Sequence, residues 1–331
     1  MQVLVIGHQS TDPTSPATPM DLVAASVLRA IDQHGLRRVI TFHGRVGKAQ
    51  AFAAGLDGLV TPDGTPVAAR HVFGGMPAAQ RVADLEWLAG DVDAEVEEAR
   101  IVSNARCLSE GIDVPAVDGV VFADRRSSVI DIIQAIGRVL RPAPGKAVGT
   151  IVLPVAVEHE ADMDTELSLS AFGQVWTVLR ALRAHDHRLD AELVAMHRAQ
   201  VRGDGNDELR VRAPSRLLFD LPSAVDLPEL ELRLADETGS TWDRNLVLLE
   251  QWAEENPGRI MPRLLKVTYG DETVGLGEWA EQQRIARRRG VLSQERVDRL
   301  AQVPGWVWDK SAARWEATVD KLRAYVAEHG T

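Results

Sequence analysis

The chain has very little cysteine and no long hydrophobic run, and both shortages limit what it can be. Its 331 residues contain a single cysteine, Cys107, so an internal disulfide is excluded and a reducing compartment is favoured. The longest apolar run near the start, VLVIG, is far shorter than the roughly 20 residues that a membrane span needs. We therefore expect a soluble, cytoplasmic protein.

The chain also lacks an excess of positive charge. Its formal net charge is −11 and its isoelectric point is about 5.3, which gives no overall attraction to nucleic acid. From Trp242 onward, however, 14 basic residues balance 14 acidic ones, so the whole negative excess precedes Trp242. The last quarter is thus the only part whose average field would not repel a phosphate backbone.

Apolar strands alternate with amphipathic helices over residues 1–157. The strand-like segments are QVLVI, RRVITF, HVF, RIVSN, GVVFA and TIVLPVAV. Strands that are apolar throughout are typical of a parallel sheet covered by helices on both faces. We therefore predict an α/β domain over 1–157, with its ligands at the carboxyl ends of the strands, and an α-helical connector over 158–240.

Tryptophan is concentrated in the last part of the chain, where six of the eight lie between Trp242 and Trp315. We predict a small tryptophan-rich helical domain over 241–314, with the tryptophans as core anchors in preference to base-stacking platforms. WDRNLVLLEQWAEEN, from Trp242, matches WEATVDKLRAYVAEH, from Trp315, at a period of 73 residues. Residues 315–331 therefore read as the start of a second, truncated repeat, and we expect the parent protein to continue beyond it.

The segment between Ile101 and Lys146 carries the most specific chemistry. In SEGIDVP, Gly111 lets a backbone approach a ligand closely, and Asp113 can accept a hydrogen bond from a ribose hydroxyl. In QAIGRVLR, Arg138 and Arg141 are three residues apart on a helix, so they project from one face. Planar guanidinium groups suit phosphate oxygens. On the same helix, Gly137 leaves room for a nucleotide and Gln134 faces the same way.

These motifs resemble motifs V and VI of superfamily 2 helicases of the DEAD/DEAH-box-like kind, in their second RecA-like domain. TFHGRV with KAQAFAAGL resembles the motif IV region of that domain, and FGGMPAAQRVADLEWLA resembles the stretch after it. In the tail, LGEWAEQQR and GVLSQERVDRLAQVPGWVWD are similar to a helicase-associated domain. The α/β part is thus expected to be a RecA-like sheet.

The resemblance implies roles for seven residues of the motif segment. It makes Arg138 and Arg141 the arginine fingers that reach the γ-phosphate of ATP, with Gln134 near the phosphates. It also implies nucleotide contacts by Gly111, Asp113 and Gly137, and a nucleic-acid contact by Ser109. The cofactors would be ATP and Mg²⁺, bound mainly by a first RecA-like domain outside these residues. The partners would be that domain and nucleic acid, with DNA favoured over RNA.

The sequence contains no G-x-x-x-x-G-K-[ST] pattern and no Asp-Glu-x-His or Asp-Glu-x-Asp box. We therefore expect an ATP-dependent helicase in the intact protein and no ATP hydrolysis by this chain alone. One alternative is a non-catalytic module that binds nucleic acid or a partner. Another is a motor whose first domain is a separate polypeptide.

RIARRRG is the strongest basic cluster of the tail. It predicts phosphate contacts from one helix end. The alternative is a solvated helix end whose charge balances the helix dipole. No metal site is predicted, since His185 and His187 lie on different faces of a helix. The candidate phosphate-binding residues are Arg284, Arg287, Arg288 and Arg289.

Overall fold

The fold comes from a computed structural model. It describes residues 1–9, 18–90, 98–105, 116–124, 148–157, 172–183, 186–202, 213–223, 225–270 and 272–330. The contacts divide the chain into two compact units. The first unit comprises Met1–Leu193 with Arg212–Thr238, and the second comprises Val194–Val211 with Gly239–Thr331.

The first unit is built on a seven-stranded parallel sheet, which confirms the predicted RecA-like α/β class. The strand order is β3-β4-β2-β5-β6-β1-β7, so the chain crosses over repeatedly between parallel neighbours. The strands are β1 (Gln2–Gln9), β2 (Arg38–His43), β3 (Val67–Phe73), β4 (Ala99–Ala105), β5 (Gly119–Phe122), β6 (Thr150–Val157) and β7 (Leu217–Asp220).

Helices cover this sheet, and their ends follow from local sequence. The first begins at a capping box in which Thr18 accepts a hydrogen bond from the backbone of Asp21, and it ends at Gly35, whose φ of 67° favours glycine. The helices of the first unit are α1 (Pro19–His34), α2 (Val46–Leu56), α3 (Ala78–Ala89), α4 (Gly173–Arg183) and α6 (Leu227–Thr238), and α5 (His187–Arg202) is divided between the two units.

The core of the first unit lies between α1, α2 and the central strands. It contains fully buried Leu4 and Ile6 of β1, Ile31 of α1 and Ile101 of β4, with Phe52 of α2 packed among them. Burying such side chains contributes about 1.5–3 kcal/mol each. The apolar strands noted in the sequence are therefore buried because helices cover them.

One strand of the sheet comes from residues that were predicted to be a helical connector. The segment RLLFDLP contains β7, which pairs in parallel with β1, with Val3 opposite Leu217 and Ile6 opposite Asp220. Asp220, at the end of β7, forms an ion pair with Arg29 of α1. The predicted connector thus contributes an edge strand to the sheet.

The second unit is helical, with a two-stranded antiparallel hairpin between its first two complete helices. Its elements are α7 (Thr241–Glu255), β8 (Val267–Tyr269), β9 (Glu272–Val274), α8 (Leu276–Arg288), α9 (Gln294–Ala301) and α10 (Lys310–His329). Trp242 and Leu249 of α7, Leu276 and Ala280 of α8 and Leu300 of α9 form its core. Five of the six tryptophans lie in or against this core, whereas Trp315 on α10 is 70% exposed.

In the described part of the chain, no helix combines the length and the apolar character that a membrane crossing requires.

Candidate nucleotide and nucleic-acid interfaces

The motifs that predicted a nucleotide site fall outside the described residues. The structure does describe the two strands that precede these motifs in the sequence. β4 ends at Ala105 and β5 ends at Phe122, and both neighbour β2 in the parallel sheet. Motif V, which starts at Ser109, therefore follows the carboxyl end of β4 after three residues, and motif VI lies in the sequence after β5. The predicted residues outside the described part are Ser109, Gly111, Asp113, Gln134, Gly137, Arg138 and Arg141.

A buried polar network underlies the carboxyl half of β2 and β4. Thr41 donates to the Ser103 hydroxyl at 3.0 Å, and its Oγ1 lies 3.0 Å from Nε2 of His43. Burial lowers the pKa of His43 to about 4, although the nearby Asp124 carboxylate opposes this shift. The imidazole is therefore neutral near pH 7, and its Nε2 forms a hydrogen bond with the Thr41 hydroxyl.

Asp124 links the carboxyl ends of β5 and β2 through hydrogen bonds. Its carboxylate accepts from the backbone N–H of Gly44, after β2, and from Nζ of Lys48 on α2, both at 2.8 Å. Burial favours the neutral carboxyl group, but the hydrogen bonds from Lys48 and Gly44 outweigh this and lower the pKa of Asp124. The β2–α2 loop is thus held against the end of β5, from which the motif VI segment leaves.

Sequence reasoning did not single out Asp124 or Lys48 as a pair. Lys48 lies in GRVGK, a fragment that lacks the spacing of a phosphate loop. A usable signal was the acidic residue directly after the apolar strand GVVFA, since carboxyl ends of neighbouring parallel strands meet at one edge. The contact itself depends on the strand order, which places β5 beside β2.

In the second unit, close contacts hold α8 against its neighbours. Trp242 donates its indole N–H to the Gln283 side chain at 3.0 Å inside the core. A Cβ built on Gly277 would lie only 2.3 Å from the carbonyl oxygen of Arg263. The backbone of the 262–263 turn can therefore rest on the first turn of α8 only because position 277 is glycine.

The structure corrects the prediction that Arg284 contacts a phosphate. Its side chain is only 3% exposed, Nε donates to the carbonyl oxygen of Val307 at 2.8 Å, and the guanidinium lies 4.2 Å from the centre of the Trp306 ring. Burial lowers the pKa of Arg284, and the Glu281 carboxylate opposes this. Arg284 is therefore a packing residue that holds the 306–307 segment on α8.

The other three arginines of RIARRRG remain accessible. The guanidinium of Arg287 lies 4.2 Å from the centre of the Trp308 ring, and Arg288 is 66% exposed with Glu281 at 3.5 Å. Arg289 follows the end of α8 and is exposed. The sequence did not separate Arg284 from these three, although Arg284 is four residues after Ala280 and eight after Leu276, which is the spacing of the buried face.

Comparison with protein families identifies two domains along the chain. Residues 23–143 match the helicase conserved C-terminal domain. Residues 239–309 match the helicase associated domain. The first match begins within α1 and covers β2 to β5 and the segments of motifs V and VI, and the second covers α7 to α9.

Two kinds of known proteins are similar to parts of the chain. One kind is the viral protein named Probable helicase A859L, which is 35% identical to this chain over 98 residues. Those residues are 30% of this chain and 11% of the viral protein. It occurs in African swine fever virus, in the isolates Pig/Kenya/KEN-50/1950 and Tick/Malawi/Lil 20-1/1983. The structure of the ATP-dependent Type ISP restriction-modification enzyme LlaBIII bound to DNA is 22% identical, with a TM-score of 0.56.

The LlaBIII similarity covers 90% of this chain and 20% of that one, so the chain spans a small part of either relative. At such identity, the LlaBIII structure establishes the fold. The family matches establish which domains the fold carries, and their order is that of the sequence motifs. The chain therefore contains a segment that matches the helicase conserved C-terminal domain, followed by one that matches the helicase associated domain.

Proposed function

We propose that the chain supplies one wall of the ATP site, and part of the nucleic-acid track, of an ATP-dependent helicase or translocase. The observation that carries the proposal is the order of elements within the helicase C-terminal match. Motif V follows β4, and motif VI follows β5, in a parallel sheet where both strands neighbour β2. Ligands of such sheets bind at the carboxyl ends of the strands.

In this proposal, Arg138 and Arg141 stabilise the charge that develops on the γ-phosphate during its transfer to water. Gln134 lies near the phosphates, and Gly111, Asp113 and Gly137 line the nucleotide. The ATP and its Mg²⁺ are held mainly by a first RecA-like domain, with which this domain forms a cleft. Closing and opening of the cleft during hydrolysis moves the two domains along a strand that Ser109 helps to hold.

We propose DNA as the nucleic acid. LlaBIII is an ATP-dependent restriction-modification enzyme whose structure is bound to DNA, and its fold is similar to that of this chain. The accessible Arg287, Arg288 and Arg289 of the second unit would contact phosphates, because exposed guanidinium groups bind them in bidentate fashion.

The decisive test is Arg141→Ala in the full-length protein. We expect DNA-stimulated ATP hydrolysis to fall by at least about 10³, because an arginine finger contributes about 10³–10⁵ to the rate of phosphoryl transfer. ATP binding, measured with a fluorescent analogue, should persist. Arg323→Ala is the matched control, since Arg323 is exposed on α10 and its recorded ion pair is with Asp320 of the same helix.

Wild-type turnover in Arg141→Ala would remove Arg141 from the mechanism. A full-length wild-type protein that binds DNA but has no ATPase activity would instead favour the non-catalytic binding module.

A further inference from the structure

Lys310 occupies an unusual position in the second unit. It is the first residue of α10 and lies just beyond the residues matched by the helicase associated family, 239–309. Its Nζ donates to the backbone carbonyl of Met261 at 3.0 Å. Among the residues that the structure describes, no carboxylate lies within ion-pair distance of this ammonium group. An ammonium carries three donors, so two are available to a further acceptor.

Three arginines lie on the segments that meet near Lys310, since Lys310 contacts Met261 and Arg284 contacts Val307, three residues before Lys310. Arg314 is one helical turn further along α10, Arg263 is two residues after Met261, and Arg284 lies on α8. Burial lowers the pKa of Lys310, and the positive charges of Arg284, Arg314 and Arg263 lower it further against the single opposing charge of Glu281. These four basic residues are named here the Lys310 cluster: Arg263, Arg284, Lys310 and Arg314.

The acidic groups nearest the Lys310 cluster are already engaged. Glu281 lies 3.5 Å from both Arg284 and Arg288, so it is shared between two guanidinium groups. Asp309 caps α10 by accepting from the backbone N–H groups of Ser311 and Ala312. The local charge is therefore positive, although the chain from Trp242 onward is neutral as a whole.

We infer that the Lys310 cluster binds a phosphate of the nucleic-acid backbone. Lys310, Arg263 and Arg314 contact the anion, since Arg263 and Arg314 are exposed and Lys310 has donors to spare. Arg284 is buried and adds positive potential without direct contact. An anion at this position relieves the repulsion among four like charges, which Glu281, shared with Arg288, offsets only in part.

The site joins the helicase associated domain to the helix that follows it. Arg263 and Arg284 lie within the matched residues, whereas Lys310 and Arg314 lie beyond them. The inference rests on the proposed role of this domain in contacting nucleic acid. The proposed function places the phosphate contacts at RIARRRG. The inference adds a second phosphate contact at the start of α10.

The test measures DNA binding by the 331-residue chain as fluorescence anisotropy of labelled DNA over a range of salt concentrations. We expect Lys310→Gln to lower the salt slope by about 0.7–0.9 and to weaken binding at least about threefold near 0.1 M salt, because one phosphate contact is lost. Lys310→Arg should retain the wild-type slope. Lys321→Gln is the matched control, because it removes the same charge from an exposed position on the same helix.

Glu281→Gln gives a second, opposite readout. Removing the Glu281 carboxylate, which opposes the positive charges around Lys310, should strengthen DNA binding and steepen the salt slope. A purely structural role of Lys310 would lower the thermal midpoint of Lys310→Gln and leave its slope unchanged. The inference is overturned by equal slopes for Lys310→Gln, Lys321→Gln and the wild type. Failure of the wild-type chain to bind DNA at all would instead refute the proposed function of this domain.

Discussion

Arg284 and Arg287 form a matched pair in the second unit. Comparing them tests whether the buried arginine stabilises the fold and the exposed one binds phosphate. Both lie on α8, and both guanidinium groups lie 4.2 Å from the centre of a tryptophan ring. Only Arg284 is buried, and only Arg284 has a recorded hydrogen bond to a backbone carbonyl, that of Val307. Substituting each by alanine should therefore have different consequences.

For Arg284→Ala we expect the free energy of unfolding of the second unit to fall by about 2–4 kcal/mol. The hydrogen bond from a charged donor to Val307 contributes about 1.5–3 kcal/mol, and the stacking on Trp306 contributes about 1–2 kcal/mol in a partly desolvated site. Relief from burying a charge offsets part of this loss. For Arg287→Ala we expect at most about 1 kcal/mol, because exposed cation–π contacts are weaker.

The measurement is urea unfolding followed by tryptophan fluorescence. Six of the eight tryptophans belong to the second unit, so the emission reports mainly on its unfolding. DNA binding supplies the complementary readout, since Arg287→Ala should lower the salt slope while the fold remains intact. Equal losses of stability in the two variants would refute the assignment of Arg284 to packing.

Two further predictions concern stability. The free energy of unfolding of the first unit should fall by about 3 kcal/mol as the pH drops from about 6.5 to about 4, because the pKa of His43 is near 4 when folded and the unfolded chain binds the proton first. His43→Gln should flatten this dependence in urea titrations at stepped pH, and an unchanged pH profile would refute it. Gly277→Ala should destabilise the second unit by about 2–4 kcal/mol, because its Cβ would lie 2.3 Å from a backbone carbonyl. Gly275→Ala, whose Cβ would meet Glu278 at 3.6 Å, should cost less than about 1 kcal/mol in the same thermal melts, and similar losses in both would contradict the reasoning.

Local sequence was sufficient to predict six of the seven strands of the sheet. Runs such as RRVITF and TIVLPVAV are apolar throughout, which is possible only where helices cover both faces. The seventh strand, β7, has four residues and pairs with β1, from which it is separated by more than 200 positions. Its pattern alone does not distinguish an edge strand from a loop, because the partner that orders it is distant in sequence.

The motifs of the α/β domain were easier to predict from sequence than the basic residues of the second unit. The order of motifs in the α/β domain was readable because each motif follows a strand, and strand order brings such loops to one edge. In RIARRRG, charge alone grouped four arginines that the helix separates into one buried and three exposed. Helical spacing from Leu276 and Ala280 would have marked Arg284, whereas the contact of Lys310 with Met261 joins residues 49 positions apart and has no local sequence signal.

The internal repeat shows most directly what a sequence pattern does and does not determine. Trp242 and Leu249 of α7 correspond to Trp315 and Leu322 of α10, and both segments are helices that begin at a polar cap. The first pair is 8% and 2% exposed, whereas the second is 70% and 59% exposed. Helix formation is thus set by local sequence in both copies, but burial depends on the elements that pack against α7. The Trp315 and Leu322 side chains of α10 are not buried as their counterparts on α7 are. At the first residue of α10, the hydrogen bond from Lys310 to the carbonyl of Met261 therefore contributes to fixing the helix, whereas α7 starts at a local cap formed by Ser240 and Asp243.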